Sequence, residues 1–514
     1  MNSASLDISS NDDNVKTILK KNFIVEILHD LRVQIITYVV CGNLAIEKKY
    51  TNKLETQYNI IYMNKRDLTD YYEKDVPAYA FYDNIRKING IDGLKLSQRK
   101  IIYAAFKRCY DNWIKTDTMC AQTQIDTNYI HGAANLESVI DNLAANYVGA
   151  NNYPLMTGNS GGFGCRISPR PSAGRYTRVK LSDVSKKLFM EIDNNVLEKQ
   201  YFEGQYIEPK FLIPIFPVMF LNGSNGMSTG FSNEIQPRNP EEIIEYIKKK
   251  INGVEHPRMQ LLPWFRNHLG KVEYNKELDR NESFGVITKN NMTSYTITEL
   301  PIGIEYQKYI EFLDKACDSG LIQDYDDKCD PKNDSILFNI KTTREFTKKH
   351  ESERKLYEAL HLIKSLSETL CCVDENNRVR EFASIQEILD AFIDIRLRFY
   401  QKRKDYLLST LKEKIGILAS KYLFVKGVTE DTIKVNKKKK DEIIVQLEKI
   451  DKIVKVNDSY DYLLAMQISS LTKEKMEELK KQIEDSKEEW KKIKSTTTEA
   501  MWIDDLSDLK KVLK

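Results

Sequence analysis

Apolar residues recur at helical spacing over residues 97–110 and predict an amphipathic helix there. Lys100, Lys107 and Arg108 recur at i, i+7 and i+8, so we expect them to share the opposite, polar face. A helix with one apolar face and one basic face is suited to insertion into a DNA groove. The same pattern also occurs in ordinary surface helices. The apolar stripe consists of Ile101, Ile102, Ala105 and Phe106.

A second amphipathic helix is predicted directly after His131 and Gly132. The glycine-rich run 158–164 predicts a loop in which the backbone can approach a neighbour closely. Further along, Ser294–Leu300 alternates polar and apolar residues, which is the pattern of a β-strand. These patterns predict helices in the first part of the chain and a separate α/β layer over residues 233–345.

From Ser384 onward the pattern changes to long, highly charged helices. Helix is predicted over residues 402–426 and again over Thr472–Lys494, and a small globular insert, Val428–Leu471, separates the two. This arrangement is typical of an antiparallel coiled-coil arm with a tip. A plain dimerisation rod is the alternative.

Composition excludes several classes of protein. The chain has 514 residues, 41% of them hydrophobic and 30% charged, which suits a soluble protein of about three domains. Its longest apolar stretch near the N-terminus, Val33–Cys41, is about half of what a bilayer span needs. The eight cysteines show neither a Cys-x-x-Cys pair nor zinc spacing. We therefore expect a cytoplasmic protein without a membrane partner.

Basic residues are clustered although the net charge is only +3. The stretch Arg166–Lys180 holds five basic residues and no acidic one. A single charge run is more often a solvated surface, but two clusters flanking one predicted fold favour contact with nucleic-acid phosphates. The second cluster consists of Lys95, Arg99, Lys100, Lys107 and Arg108.

An ordered series of short motifs carries a resemblance over residues 64–512. In this order they resemble type IIA DNA topoisomerases: the gyrase A subunit, the C-terminal half of eukaryotic topoisomerase II and the medium subunit of T-even-phage topoisomerase. Any one motif occurs by chance, whereas the ordered set is specific. The motifs are Asp92-Gly93-Leu94-Lys95-x-x-Gln98-Arg99-Lys100, His131-Gly132, Gly149-x-Asn151-Asn152, Gly162-Phe163-Gly164, Arg175-Tyr176, Ile207-Glu208-Pro209, Pro214-x-x-Pro217, Asn222-Gly223-x-x-Gly226, Ile297-Thr298-Glu299-Leu300-Pro301, Tyr462-Leu463-Leu464-x-Met466 and Leu471-Thr472-Lys473-Glu474-Lys475.

The resemblance implies an α+β multidomain fold assembled as a two-fold dimer. It has a winged-helix domain, a tower domain and a long antiparallel coiled-coil arm that ends in a C-terminal gate. The upstream residues 1–62 form an extension of unknown role, and Met63 as the true start is the alternative. The expected boundaries are 63–195 for the winged-helix DNA-cleavage domain, 196–345 for the tower, 346–427 for the first arm, 428–471 for the gate tip and 472–514 for the second arm.

Tyr176 is the nucleophile that the resemblance implies. A tyrosine that attacks the DNA backbone forms a transient 5′-phosphotyrosyl link, which conserves the bond energy and makes a double-strand break reversible. Free tyrosine has a pKa of about 10, and the adjacent Arg175 would favour the phenolate and the charge of the transition state. One tyrosine among 28 is rarely catalytic, but the acid-free basic surroundings and the motif series select this one.

The basic helix supplies further expected DNA contacts. Lys95, Arg99 and Lys100 would grip the DNA backbone. Within the basic stretch around the tyrosine, Arg166 and Arg178 are expected to bind DNA phosphates.

Two more site residues follow from the resemblance. His131 would donate a hydrogen bond to a phosphate near the scissile bond, and a purely structural histidine is the alternative. The family often has a second histidine or a glutamate beside it, where this chain has Ile130 and Ala133. Met227 stands where the family usually has an isoleucine that wedges between base pairs; methionine is apolar and can wedge, and a buried turn methionine is the alternative.

Cofactor sites are expected on a partner rather than on this chain. The sequence has no GHKL-type ATPase motif and no TOPRIM glutamate with an Asp-x-Asp; Asp324 and Asp326 match the spacing of the latter in the wrong context. We therefore expect no metal site here, and Mg²⁺ and ATP held by an ATPase/TOPRIM subunit. The expected assembly is a homodimer of this chain within a heterotetramer or larger, acting on double-stranded DNA, in the host cytoplasm if phage-encoded.

Three functions remain open from sequence. The first is the cleavage subunit of an ATP-dependent type IIA topoisomerase, which relaxes and decatenates DNA; the chain ends at the arm without a DNA-wrapping domain, so negative supercoiling is not expected. The second is a non-catalytic winged-helix and coiled-coil dimer that binds DNA. The third is a structural coiled-coil protein without nucleic-acid affinity, which the two basic clusters disfavour.

Overall fold

A computed structural model describes residues 68–513 apart from 160–161, 255–256, 258, 437, 451 and 468–471. The N-terminal extension and the alternative start at Met63 lie outside the described residues. In the described part of the chain, no helix is both long enough and apolar enough to cross a membrane.

The main body begins with helices packed on a small antiparallel sheet. In this sheet β3 (Arg178–Leu181) lies between β1 (Ile114–Lys115) and β2 (Met156–Gly158). This central strand places Val179 and Leu181 in the core with no solvent exposure. The helices predicted around residues 97–110 and after Gly132 are both confirmed. One turn, Leu68–Asp70, and a π-helical turn, Tyr71–Asp75, lead into α1 (Val76–Lys87), α2 (Leu96–Arg108), β1 (Ile114–Lys115), α3 (Thr116–Thr127), α4 (Ala133–Ala144), β2 (Met156–Gly158), β3 (Arg178–Leu181) and α5 (Asp183–Leu188).

The same core continues well beyond the boundary expected at residue 195. Apolar side chains from Leu197 to Leu261 are buried in one cluster with those of α2 and α4. This segment extends the first core, and the boundary expected at residue 196 stays a prediction. Its elements are a 3₁₀ turn (Glu191–Asn195), β4 (Tyr201–Phe202), β5 (Gln205–Tyr206), α6 (Val218–Asn222), β6 (Ser224–Met227), β7 (Ser232–Ile235) and α7 (Pro240–Ile251).

A second α/β unit follows, with its own core built from residues 295–362. Its two antiparallel sheets have the strand orders β10-β11-β13-β12 and β14-β9-β8. Strand β11 alternates buried and half-buried side chains, which confirms the strand predicted from its sequence. The elements are β8 (Val272–Asn275), β9 (Arg280–Phe284), β10 (Val286–Lys289), β11 (Ser294–Glu299), α8 (Tyr306–Asp318), β12 (Asp324–Asp327), β13 (Phe338–Lys341), α9 (Arg344–Lys349), α10 (Glu353–Ala359) and β14 (Ile363–Leu366).

One helix, α11 (Ile385–Thr429), joins the main body to a distant tip. Its 45 residues span about 68 Å at 1.5 Å per residue. Its first turns lie in the main core, its middle packs on α14 (Lys473–Ser495), and its end enters a small core of its own. The strands that precede α11 are β15 (Cys371–Val373) and β16 (Val379–Glu381). The helices between α11 and α14 are α12 (Lys440–Glu448) and α13 (Asp461–Leu464).

The expected arm segments hold more than the two long helices. Residues 346–384 form short helices and strands before the long helix begins at Ile385. The last helix, α15 (Thr498–Val512), returns to the main core, where Trp502 is fully buried and donates from Nε1 to the carbonyl of Ile215 at 2.8 Å. The long charged helix α14 ends at Ser495, and the arm boundaries stay predictions.

Candidate active site and DNA interface

Tyr176 lies in the turn immediately before β3. Along that strand Thr177, Val179 and Leu181 are buried, whereas Arg178 between them is exposed. This period of two directs the preceding tyrosine outward, and 68% of Tyr176 is solvent-exposed. An exposed phenol on the end of a buried strand is accessible to a macromolecular substrate.

Four hydrogen bonds hold the turn that carries Tyr176. The Tyr176 amide donates to the Ala173 carbonyl at 2.8 Å, and the buried Thr177 hydroxyl shares a 2.7 Å hydrogen bond with the Thr116 hydroxyl. The Thr116 amide also donates to the Thr177 carbonyl at 3.1 Å. From α4, the Glu137 carboxylate accepts the Gly174 amide at 2.6 Å. The backbone beneath the phenol is therefore fixed, which is what a positioned nucleophile requires.

Arg175 lies over the phenol. Its guanidinium carbon is 4.8 Å from the centroid of the Tyr176 ring, so the two adjacent side chains point the same way. Both side chains are exposed. A cation in this place stabilises the negative charge that develops when a phosphodiester is attacked.

The acidic residues near this turn serve the fold. Glu137 accepts the Gly174 amide, and Asp117 accepts the Thr118 amide at 2.6 Å. One turn further along α4, burial and then the charge of Glu137 raise the pKa of the Asp141 carboxyl to about 6. No group of three or more His, Cys, Asp or Glu residues is arranged to hold a metal ion anywhere in the described ranges. The residues around Tyr176 do not fit a Mg²⁺ site.

His131 stands at the N-terminal end of α4, the helix that carries Glu137. Its Nε2 is hydrogen-bonded to the Tyr82 hydroxyl at 2.9 Å, and its ring packs edge-on against Tyr129 with centroids 5.4 Å apart. The helix begins at Ala133, two residues after His131, and its Glu137 accepts the Gly174 amide of the Tyr176 turn. The residue is half-buried and so remains partly accessible to a ligand.

Arg99 and Lys100 lie inside the fold. Arg99 donates from Nε to the Asp92 carboxylate at 2.7 Å and is 5% exposed. Lys100 donates from Nζ to the Glu208 carboxylate and to the Thr127 carbonyl, both at 2.9 Å. Their charges neutralise buried carboxylates in this structure, and the expected contact of both residues with DNA stays a prediction. Of the basic face predicted for this helix, only Lys107 and Arg108 are exposed.

Lys95 precedes α2 and is half-buried, and burial lowers the pKa of its amine. Its backbone amide donates to the Gln98 side chain at 2.9 Å, which fixes the start of the helix. Arg178, in contrast, extends into solvent from β3, and its backbone amide donates to the Asn159 side chain at 2.6 Å. Of the predicted phosphate contacts on this strand and helix, Arg178 is the most accessible.

Arg166 connects the loop before Tyr176 to the second unit. Its guanidinium is ion-paired with Glu299 of β11, and its amide donates to Asp334 at 2.7 Å. Glu299 is 1% exposed and also accepts the Leu300 amide at 2.9 Å. The charge of Arg166 therefore neutralises a buried carboxylate between the two units, and the expected contact between Arg166 and DNA stays a prediction.

We predict that Glu299 makes folding sensitive to acid. Burial opposes its ionisation, yet His268 and Arg166 lower the pKa of Glu299 to about 2 from 4.5. The Arg166 guanidinium contacts the carboxylate directly, whereas Nδ1 of His268 is 3.6 Å from it. The stabilisation, about 3 kcal/mol, is fully present above pH 4.5 and is lost as the pH falls from 4.5 towards 2. Glu299→Gln should remove this part of the acid dependence, measured as unfolding midpoints at pH 7, 4.5 and 3.

Glu305→Gln is the matched control, because Glu305 belongs to the same unit but is 66% exposed at its side chain, where it pairs with Lys308. It should keep the parental pH profile. Unfolding curves of Glu299→Gln that run parallel to those of the parent at all three pH values would contradict the assignment.

Met227 ends strand β6 at the tip of the β6–β7 hairpin, and 79% of it is exposed. The hairpin is fastened to α1, because the Ser228 hydroxyl donates to Asn84 at 2.6 Å and the Thr229 amide donates to Asp83 at 2.9 Å. A buried turn methionine, the alternative considered from sequence, does not fit. The apolar side chain projects from an anchored hairpin.

Comparisons with known proteins decide the family. A family model describing the A subunits of DNA gyrase and topoisomerase IV matches residues 88–507. The chain is 32% identical over 455 residues to a mitochondrial DNA topoisomerase 2 of Dictyostelium discoideum, covering 86% of this chain and 35% of that protein. It is 30% identical to DNA topoisomerase 2 of Acanthamoeba polyphaga mimivirus, covering 93% of this chain and 44% of that one. The chain belongs to the type IIA topoisomerases, as a breakage–rejoining subunit.

A solved structure agrees with this assignment. The crystal structure of the Plasmodium falciparum topoisomerase II DNA-binding, cleavage and re-ligation domain matches with a TM-score of 0.79 and 32% identity, over 86% of this chain and 64% of that one. The chain spans less than half the length of the two curated relatives, the Dictyostelium discoideum and mimivirus topoisomerases.

Sequence patterns missed two residues that support the Tyr176 turn and the Met227 hairpin. Glu137 holds the Tyr176 turn, and Asp83 holds the Met227 hairpin. Both are acids within helices and look like ordinary surface positions in the sequence. Asp83, however, is 4% exposed, and its partner Thr229 is 146 residues away in the sequence. A pattern within one helix carries no information about a hydrogen-bond partner so distant in the sequence.

Proposed function

We propose that this subunit cuts and reseals duplex DNA through Tyr176. The observation that carries the proposal is the exposed phenol beneath Arg175, on a turn fixed by Glu137 and Thr116, in a chain of this family. The phenolic oxygen attacks the phosphorus of a phosphodiester. The oxygen–phosphorus bond forms, the bond to the 3′ oxygen breaks, and that oxygen leaves with a proton as a free hydroxyl.

Resealing is the reverse attack. The 3′ hydroxyl attacks the phosphotyrosyl phosphorus, restores the phosphodiester and returns the proton to the phenol. Because one ester replaces another, the DNA is rejoined without consumption of a nucleotide at this step. Arg175 stabilises the charge on the phosphoryl group in both directions, and Arg178 and His131 bind neighbouring phosphates. A two-fold dimer supplies two tyrosines, one for each DNA strand, so duplex passage follows.

The remaining architecture is assigned by the same proposal. Residues 63–195 form the winged-helix cleavage domain and residues 196–345 form the tower. Residues 346–427 and 472–514, which contain α11 and α14, form the coiled-coil arm. The small core at the end of α11 forms the C-terminal gate. We infer that Mg²⁺ and ATP are bound by a partner subunit with TOPRIM and ATPase domains, within a heterotetramer or larger assembly. The complex acts with DNA, in the host cytoplasm if phage-encoded, and relaxes and decatenates it.

A covalent-trapping assay tests the proposal. The chain is purified with its ATPase/TOPRIM subunit, incubated with end-labelled duplex DNA and Mg²⁺, and denatured with detergent. We expect DNA covalently attached to this chain through its 5′ ends. The chain alone should bind DNA and cut it poorly or not at all. Binding without cleavage in every combination would instead favour the non-catalytic DNA-binding dimer.

The exposed Met227 leads to a prediction about DNA bending. An apolar side chain that wedges between base pairs kinks a duplex. Met227→Ala should reduce the bend of a doubly labelled duplex by roughly 20° or more, measured by energy transfer between its ends. Met292→Ala, a change at a methionine that is 65% exposed in the second unit, is the control and should leave the bend unchanged. Equal bending by the parent and Met227→Ala would remove the wedge from the mechanism.

A further inference from the structure

The β1–β3 ladder has two chemically different faces. Lys115 is the Cα partner of Arg178, and Ile114 is the partner of Val179. Val179 and Leu181 are fully buried, whereas Arg178 and Lys115 are exposed. Residues that alternate along paired strands share a face, so the outer face carries an aromatic residue and three cations. We call it the outer patch; it consists of Trp113, Lys115, Arg178 and Lys180.

Trp113 is 45% exposed, which is unusual for so large an apolar side chain. Its ring lies beneath the Lys180 amine, 5.2 Å from Nζ to the ring centroid. This contact orders the indole but leaves it open to solvent. An ordered, exposed indole beside cations is suited to packing against a sugar or base while the cations hold phosphates.

The cations of the outer patch have no acidic partner. Within the ranges that the structure describes, no ion pair involves any of the three cations, Lys115, Arg178 and Lys180. The neighbouring Lys186, which lies over Tyr110, shows the contrast: it is ion-paired with Asp111 at 2.7 Å and with Asp183 at 3.0 Å. The positive charge of the patch is therefore not neutralised by an acidic side chain, whereas that of the neighbouring Lys186 is.

The patch lies beside the proposed nucleophile. Tyr176 ends a turn and β3 begins at Arg178, so Arg178 and Lys180 lie at most about 7 and 13 Å along the chain from it. A DNA strand advances about 3.4 Å per nucleotide. A duplex that has a phosphodiester at Tyr176 and runs along β3 would carry its phosphates two to four nucleotides away over the outer patch.

We propose that the outer patch binds the backbone of the duplex flanking the cleaved bond, with Lys115, Arg178 and Lys180 pairing with phosphates and Trp113 packing against a deoxyribose. This inference rests on the proposed function, because Tyr176 fixes where the duplex lies. The occupant is double-stranded DNA rather than a protein, since three unpaired cations on one face complement a phosphate backbone and the patch is continuous with the Tyr176 turn.

Salt-dependent binding of the full chain to a fluorescent 30-base-pair duplex tests the inference. Lys115→Ala/Lys180→Ala should lower the slope of log K against log salt by about 1.8, because each phosphate contact contributes about 0.9. Trp113→Ala should weaken binding roughly fivefold with little change in slope, and Trp113→Phe should restore part of the loss. Thermal unfolding of each variant verifies that it is folded.

The arm provides a matched control. Lys494 lies over the Trp490 ring at 4.7 Å, so Trp490→Ala/Lys494→Ala removes the same kind of pair far from the patch. It should bind DNA as the parent does. Folded patch variants with the parental affinity and slope would overturn the inference while leaving the proposed function intact. Failure of the parent to bind any duplex would overturn both, and patch variants that lose the ATPase/TOPRIM subunit instead of DNA would make the patch a protein interface.

Discussion

Tyr176→Phe should abolish the covalent protein–DNA adduct while DNA binding stays within about twofold of the parent. The change removes the nucleophilic oxygen, and no neighbouring group replaces it. The ring and its contact with Arg175 remain, so the variant separates chemistry from binding. The adduct is measured by detergent trapping in the presence of Mg²⁺ with the ATPase/TOPRIM subunit, and binding is measured by anisotropy on the same duplex. We expect a loss of at least about a thousandfold in the adduct.

Tyr206→Phe is the matched control. Tyr206 is 67% exposed, and the Lys199 amine lies 5.8 Å from its ring centroid, so it resembles Tyr176 in exposure and in its cationic neighbour. Its removal should leave cleavage unchanged. An adduct formed by Tyr176→Phe at the parental level would show that another residue is the nucleophile.

Arg99→Ala should destabilise the protein by about 3–5 kcal/mol rather than simply weaken DNA binding. The change leaves Asp92 as an unpaired carboxylate that is 0% exposed. That carboxylate also accepts the Leu94 amide at 3.1 Å and the Leu212 amide at 3.0 Å, so it organises two segments of the main core. The measurement is the urea midpoint of the main body, followed by the fluorescence of the buried Trp502.

Lys107→Ala on the same helix is the comparison, since Lys107 is exposed and lies over the Tyr103 ring, 4.1 Å from its centroid. We expect a change below about 0.5 kcal/mol. If Arg99→Ala kept the parental stability and lowered the salt slope of DNA binding by about 0.9, Arg99 would be a phosphate contact after all.

Local patterns predicted the elements whose structure depends on their own sequence. The apolar stripe of α2, the alternation of β11 and the charged helix α14 all lie where their period indicated. A period of 3.6 or 2 places one face against a core whatever that core is made of. The order of the motifs was similarly sufficient to indicate the family, and it predicts Tyr176 as the nucleophile.

Local patterns did not show which core an amphipathic segment joins. Residues 196–261 were expected in a second domain and belong to the first core, and α15 was expected in the arm and returns to the main body. Both segments are amphipathic, and amphipathicity shows that a face is buried without showing against which element. Trp502 finds its hydrogen-bond partner, Ile215, 287 residues earlier in the chain.

The sequence by itself determined the secondary structure of the regular segments and the family, and it predicts the tyrosine with its arginine. Only the tertiary structure decided which charges are available to DNA. Arg99, Lys100 and Arg166 look like Arg178 in the sequence, yet the first three neutralise buried carboxylates and the last is exposed. The physical reason is that the fate of a charge depends on its neighbours in space, and Glu208 and Glu299 approach Lys100 and Arg166 across 108 and 133 residues of chain.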